Sequence, residues 1–269
     1  MNTASSPLRV ISLGWGVQSW TLAAMAALGE LEPVDYAIHA DTTHEMQGTY
    51  AHAAKWTGWL ERRGVKVITL QGKRTDVVMP WGKTRAAVLI PAFTRGAKTR
   101  GVIRRQCTGA WKIQPIRRFI RSVIGRPQPG SVQCIQGISW DEAMRVRTSD
   151  VAYIENVYPL VERRITRADC ILWLESKGLD VPPKSSCSFC PYHQLIEWKR
   201  LKRGGGFDWE HALAVDREIR EIRRHQGWGL YVHPARRPLA EAVTIPEDSG
   251  MAQMEMEIEK PCDSGFCFT

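Results

Sequence analysis

Leu8-Arg-Val-Ile-Ser-Leu-Gly-Trp-Gly-Val-Gln-Ser19 changes character twice in twelve residues. Leu8–Leu13 is a short apolar run rich in β-branched residues, which predicts a buried strand. Gly14-Trp15-Gly16 breaks it. From Val17 to Leu28 the chain is rich in Ala and Leu and reads as a helix. The alternation then repeats. Asp35–Ala40 is a second strand, Gln47–Arg63 a second helix and Val65–Leu70 a third strand. Strand, helix, strand, helix, strand at this spacing calls for parallel pairing through crossover helices. The expected fold is therefore α/β, a Rossmann-like parallel sheet flanked by helices, with a C-terminal helical part and a tail.

The rest of the chain is less regular. Residues 73–105 are rich in Gly, Thr, Lys and Arg and read as a long loop with one strand-like piece, Ala87–Ile90. Trp111–Ile124 reads as a helix with Pro115 near its start and Ile116, Phe119, Ile120 and Val123 at helical spacing. Val132–Gln136 is a strand. Thr166-Arg-Ala-Asp169 has the form of a capping box. Two more helices, Glu197–Arg203 and Asp208–His225, flank Gly204-Gly205-Gly206. The expected organisation is a nucleotide-binding α/β domain over 1–190, a helical extension over 191–246 and a Cys-containing tail over 247–269.

The chain has 269 residues, 43% hydrophobic and 24% charged, which are globular proportions. No apolar run approaches the roughly 18–20 residues that span a bilayer. Met1–Pro7 has no signal-peptide pattern, so the expected setting is cytoplasmic, without a membrane. There, the seven Cys read as metal ligands, reactive thiols or core residues rather than disulfides. The net charge of +9 is concentrated: between Asp76 and Asp141 stand 12 basic residues and no acidic one. Such a segment needs an anion, and a nucleotide or a nucleic-acid backbone would serve.

Three groups of residues could carry chemistry. Ser12, Gly14, Gly16, Gln18 and Ser19 stand where the first strand meets the first helix, the edge at which open parallel sheets bind ligands and helix N-termini favour phosphate. The segment is neither GxxxxGK[ST] nor GxGxxG, so it lacks both the Walker and the dinucleotide fingerprints. Asp41 and Thr42 end the second strand on the same edge, as ligand contacts or as a cap for the next helix. Cys187-Ser-Phe-Cys190 is a CxxC, with Cys107 lying 80 residues before it. Three thiolates suit an iron–sulfur cluster or zinc, with Arg104 and Arg105 favouring the thiolate form. Cys134 and Cys170 read as core residues. Cys262 and Cys267 in the tail suggest transferable sulfur or redox chemistry.

These stretches together resemble the phosphoadenosine phosphosulfate (PAPS) reductase family, within the PP-loop group of adenine-nucleotide α-hydrolase-like enzymes. The closest likeness is to the branch seen in phages and mobile elements, related to the iron–sulfur component of DNA phosphorothioation systems. The resemblance is carried by Ser12–Ser19, Ala40-Asp41-Thr42, Cys107-Thr108 leading to Lys112-Ile-Gln-Pro115, Gly137-Ile-Ser-Trp-Asp-Glu142 with Arg145, Tyr158-Pro159-Leu160 and Cys187–Pro191. They run in order from about residue 8 to about residue 200.

The resemblance implies an adenine nucleotide (ATP, PAPS or adenylylsulfate) held by Ser12, Gly14, Gly16, Gln18, Ser19, Asp41, Thr42 and Gly137, with Mg²⁺. It implies a 4Fe–4S cluster on Cys107, Cys187 and Cys190, and catalytic roles for Arg145 and a tail thiol, Cys262 or Cys267. The sequence departs from the family at Gln18, where the pyrophosphatase loop has Asp, and at Gln106-Cys107, where four-Cys reductases have a Cys pair. Three readings follow. The first is an ATP-dependent sulfurtransferase acting on nucleic acid. The second is a sulfonucleotide reductase releasing sulfite through a tail Cys. The third is a non-catalytic nucleotide-binding regulator. The expected partners are a sulfur donor or thiol reductant protein and a second copy in a homodimer.

Overall fold

The computed structural model describes residues 6–81, 85–96, 100–222 and 229–244. The backbone forms two compact units. The first takes in the chain up to Arg74 and Gly109–Ser185; the second takes in Thr75–Thr108 and the chain from Ser186. Cys262, Cys267 and the rest of the tail over 247–269 lie outside the described residues, as does the expected helix end over 223–225.

Unit one is built on a five-stranded sheet of β1 (Leu8–Ser12), β2 (Tyr36–Asp41), β3 (Val67–Gln71), β8 (Val132–Ile135) and β9 (Ile154–Val157). Its order is β3-β2-β1-β8-β9 and every pairing is parallel. The expected open α/β sheet is therefore present. The chain runs outward from β1 to β3 and then returns to β1's other side with β8, so the β1/β8 boundary is the switch point of the sheet. β1 is central in the sheet, and helices cover both of its faces. Ile11 points toward α1 (Val17–Ala27), α2 (Gln47–Glu61) and α5 (Arg167–Ser176), in a core with Leu22, Ala37, Ile135, Cys170 and Leu174. Val10 points the other way, toward Ile116 and Ile120 of α3 (Gln114–Ile124), with Ile38 and Cys134. Each such side chain contributes about 1.5–3 kcal/mol on burial.

The helix expected over Trp111–Ile124 begins earlier and differently, as π-type turns over Thr108–Ile113 that pass into α3. Pro115 has no N–H to give the carbonyl of Trp111, so a regular α turn cannot close there. The capping box is as the sequence reads: Thr166 accepts from the Asp169 N–H, and Asp169 accepts from the Thr166 N–H. Cys134 and Cys170 are core residues, and burial pushes their thiols up to about 12 and about 11 respectively.

Under α1 lies an aromatic cluster of Trp15, Trp20, His52, Trp56 and Trp59, with ring centroids 5.2–6.3 Å apart where they meet. Burial holds the His52 imidazole down to about 4, against 6.5 in the unfolded chain, with Asp180 partly opposing this. The unfolded state therefore takes up the proton first as pH falls. The stabilisation is full above about pH 6.5 and is lost between there and pH 4. It amounts to about 3 kcal/mol at most. Thermal melts from pH 7 to pH 4.5 should show this loss, and His52→Phe should flatten the slope. An unchanged slope in that variant would remove His52 as the cause.

Unit two holds two small antiparallel sheets. β4 (Val78–Trp81) pairs with β5 (Arg85–Val88), and the second sheet has the order β10-β6-β7, from β6 (Phe93–Arg95), β7 (Arg100–Val102) and β10 (Gly229–Tyr231). The segment over 73–105 is thus a run of short strands, not a loop with one strand at Ala87–Ile90. Strands of three or four residues leave no alternation to read. α6 (Leu195–Gly204) and α7 (Gly206–Ile222) meet at the glycine break, where Gly205 and Gly206 take positive φ. Asp216 on α7 is buried. Its carboxylate accepts from the Val232 N–H (3.3 Å), the Leu239 N–H (3.0 Å) and Arg220 Nε (3.0 Å). It ties β10 and α8 (Leu239–Ala242) to α7. Among the described residues, no helix is long and apolar enough to cross a membrane.

Candidate functional site

The carboxyl ends of β1, β2 and β8 carry the residues the sequence singles out in unit one. After β1 the turn Leu13–Gly16 is closed by Ser19, whose hydroxyl accepts from the Gly14 N–H and donates to the Gly16 carbonyl, both at 3.2 Å. Ser185 Oγ donates to the Gly14 carbonyl at 2.5 Å. Gly16 is the N-cap of α1, and no described side chain caps that end. The N–H groups of the first helical turn therefore face outward, an arrangement that suits an anion. The positive φ of the turn falls on Trp15 (φ 57°), not on either glycine. A buried indole in the left-handed region costs of order 1–3 kcal/mol, which the aromatic cluster around it offsets.

After β2, Asp41 braces its own turn. It accepts from the Thr43 N–H (2.7 Å), Tyr50 Oη (2.8 Å) and Gln71 Nε2 (2.9 Å). Burial would raise its pKa, but the hydrogen bonds from Gln71, Thr43 and Tyr50 outweigh it and hold the carboxyl below its usual value. Thr43 also has positive φ (64°). Thr42 is buried beside Glu45, Oγ1 to Oε1 at 3.5 Å. Glu45 is itself buried and ion-paired to Lys112 Nζ at 3.1 Å. His39 reaches the Leu13 carbonyl through Nδ1 at 3.1 Å, and burial lowers its pKa. Sequence reasoning missed Glu45. Among the polar neighbours Asp41, Thr42, Thr43 and His44 nothing marks it out, and its cation lies 67 residues away.

After β8, Gly137 presses on the start of α1. A Cβ placed there would stand 2.7 Å from Ser19 N and 2.8 Å from Ser19 Cα. Only glycine allows this approach. The next turn, Trp140–Arg145, is a 3₁₀ segment. Gln18 Nε2 lies 3.4 Å from Ser139 Oγ and 3.3 Å from Glu142 Oε2, and Arg145 Nη1 meets the same Glu142 oxygen. Gln18, Gly137 and Arg145 are thus brought together, with buried Ser139 and Glu142 between them.

At the switch point the α3 side opens into a cavity of about 290 Å³. Ile116, Ile120, Cys134 and Ile154 are in its apolar wall; Ser12, Gln136, Asn156, Arg147 and the ion pair of Arg117 with Asp150 are among its polar groups. Ser12 Oγ is buried without a hydrogen-bond partner among the described residues. A buried hydroxyl left unpaired costs about 1–3 kcal/mol, so it is a natural partner for a polar ligand atom. A half-apolar slot of this size with a few polar groups is of the kind that takes a small heterocyclic ligand.

The three candidate metal-binding thiols are all in unit two. Cys187 and Cys190 share a turn, with the Cys190 N–H donating to the Cys187 carbonyl at 3.0 Å. The Cys190 carbonyl accepts from the His193 N–H at 3.0 Å, and His193 Nε2 lies 3.0 Å from the Cys187 carbonyl. Cys107 opens the helical turn after Gln106, its N–H bonded to the Leu89 carbonyl. All three are half-buried. Arg105 bonds Thr108 Oγ1 at 2.7 Å and lies over the Tyr192 ring at 5.5 Å. The donor set, three thiols with a guanidinium in the same unit, suits a thiophilic metal or an iron–sulfur cluster. Among the described residues, no three His, Cys, Asp or Glu side chains already surround one point.

No protein-family model matches the chain, and no curated protein matches it. Solved structures do. One is the PAPS reductase of Candida auris in a phosphate complex, 12% identical over 67% of this chain and 78% of that one, with a TM-score of 0.43. Another is the U34-tRNA thiolase NcsA of Methanococcus maripaludis with its 4Fe–4S cluster. It is 11% identical over 81% of this chain and 74% of that one, with a TM-score of 0.41.

Proposed function

We propose that the chain is an adenine-nucleotide-dependent enzyme of sulfur chemistry that activates a nucleic-acid target with ATP before sulfur transfer. The observation that carries the nucleotide half is the switch-point edge. There the buried, unpartnered Ser12 hydroxyl lines the cavity, and the uncapped start of α1 and the contact of Gly137 on Ser19 stand at the carboxyl ends of the same two strands, β1 and β8. The outward N–H groups of α1 would take phosphate oxygens, and Ser12 with Gln136 and Asn156 would orient the nucleoside. Arg145, held by Glu142, would balance charge that develops on the phosphoryl oxygens. A nucleophilic atom of the target would attack the α-phosphorus. Pyrophosphate would leave, and the adenylated target would carry AMP as its later leaving group.

The edge carboxylates fit a protein-held Mg²⁺ poorly. Asp41 is already committed to three donors and Glu45 to Lys112, so no step is assigned to that ion. The sulfur half of the proposal rests on the thiols of unit two. Cys107, Cys187 and Cys190 would hold the iron–sulfur cluster, which when bound supplies an open iron able to carry sulfide. Arg105 would favour their thiolate forms.

The test measures ATP and PAPS binding by calorimetry, with iron and acid-labile sulfide in protein purified without oxygen. ATP binding, with about four iron per chain lost in both Cys107→Ala and Cys187→Ala, is the expected result. Preference for PAPS with thiol-dependent sulfite release would overturn the ATP reading. Absence of both iron and sulfide would overturn the cluster.

A further inference from the structure

On the segment after β8, Ile138, Ser139 and Glu142 are buried, whereas Trp140 is 46% exposed. Trp140 opens a 3₁₀ segment that is kinked at Glu142. The turn beneath it is fixed. The Trp140 N–H donates to the Ile165 carbonyl at 2.8 Å, and the Asp141 carboxylate accepts from the Arg167 N–H at 3.0 Å. Arg164 holds a left-handed backbone (φ 56°), and its guanidinium lies 5.7 Å from the Trp140 ring centroid. A non-glycine residue keeps that conformation only where its surroundings impose it.

This turn is also the one that meets the nucleotide edge, because Gln18 reaches Ser139 and Glu142 from the start of α1. A group resting on Trp140 would therefore lie close to the carboxyl edge of β1 and β8. We propose that Trp140, with Arg164 at its ring, is a stacking platform for an unpaired base of a single-stranded polynucleotide. Arg164 would face the adjoining phosphate. The inference rests on the nucleic-acid part of the proposed function and names the surface that would hold the target. Three observations favour this occupant over a protein. The platform is a single flat aromatic rather than an extended apolar face. A guanidinium stands over the ring where a stacked base and its phosphate would both be met. The chain as a whole carries +9. A duplex cannot offer an unpaired face, so single strands are required.

The test is fluorescence anisotropy of the full chain with labelled 12-residue single-stranded RNA and DNA, and with the matching duplexes, without ATP. Trp140→Ala should weaken single-strand binding by about 5- to 140-fold, the range of one base–aromatic stack. Trp140→Phe should keep most of the affinity, and Arg164→Ala should lower it and its salt dependence together. Melting temperature and ATP binding should be unchanged in Trp140→Ala. Equal single-strand affinity in Trp140→Ala and wild type would overturn the platform while leaving the nucleic-acid reading in place. Preference of wild type for duplex would likewise overturn it. Failure of wild type to bind any of the four probes would overturn both, and pairing of the same face with a protein would then be the remaining use of Trp140.

Discussion

Gly137→Ala should destabilise unit one by about 3 kcal/mol or more and abolish nucleotide binding. The added methyl would stand 2.7–3.0 Å from Ser19 N, Cα and Cβ, and two of those three atoms are backbone. Side chains can rotate away from an intruder; the first turn of a helix cannot without moving the whole helix. Overpacking typically costs 1–3 kcal/mol where neighbours can yield, and the upper end applies where they cannot. For a protein of this size that lowers the melting temperature by roughly 6–12 °C. Under the proposed function the displaced turn is also the one that would present N–H groups to phosphate, so binding and stability should fall together. Gly109→Ala is the control, because a Cβ there meets no atom within 4 Å and the backbone has no positive φ. Its melt should stay within about 0.5 kcal/mol of wild type. A Gly137→Ala protein that melts like the control and binds ATP normally would show that the close approach is not required.

Asp216→Ala should unfold unit two locally, at a cost of about 3–5 kcal/mol. The carboxylate serves two backbone N–H groups, of Val232 and Leu239, and the Arg220 side chain. Removing it leaves buried donors without an acceptor, at about 1–3 kcal/mol each, and leaves Arg220 without its ion-pair partner. Asp216→Asn keeps one acceptor oxygen and should fall between the two. Hydrogen exchange at the Val232 and Leu239 amides reads the effect at the atoms concerned. Both should exchange faster in Asp216→Ala, while amides of the parallel sheet keep their protection. Unaltered exchange at the two amides would mean that the tie is dispensable.

How far the sequence could be read depended on the range of the forces involved. β1, α1, β2, α2 and β3 were legible because each is long enough to show its own period and each is followed by its partner. The Thr166 capping box was legible because both halves lie within four residues. The strands of unit two were not. β6 pairs with β10, some 135 residues on, and three-residue strands carry no alternation. β9 was missed because only Ile154 of its four residues is deeply buried. The π turns at Thr108–Ile113 follow from a proline whose usual place at a helix start seemed sufficient. At the site, Ser12, Gln18 and Asp41 could be named from local pattern, and Gly137 from the family resemblance. Glu45 with Lys112, and Ser139 with Glu142 beneath Gln18, are pairings across the fold, and nothing near them in sequence announces them. The aromatic at Trp140 lay inside a quoted motif, but its exposure is a property of the folded surface alone.

The two core thiols have a practical consequence for anyone counting sulfur in this protein. Alkylating reagents consume thiolate. With pKa values of about 12 and about 11, Cys134 and Cys170 hold of order one part in ten thousand and one in a thousand as thiolate at pH 8. They are silent while the chain is folded and appear only when it is denatured. Each molecule therefore carries its own two-mark calibration. The mass gained by native protein reports the outer thiols, and the further gain in denaturant must include these two. A preparation in which Cys134 labels early is one whose central sheet has already opened.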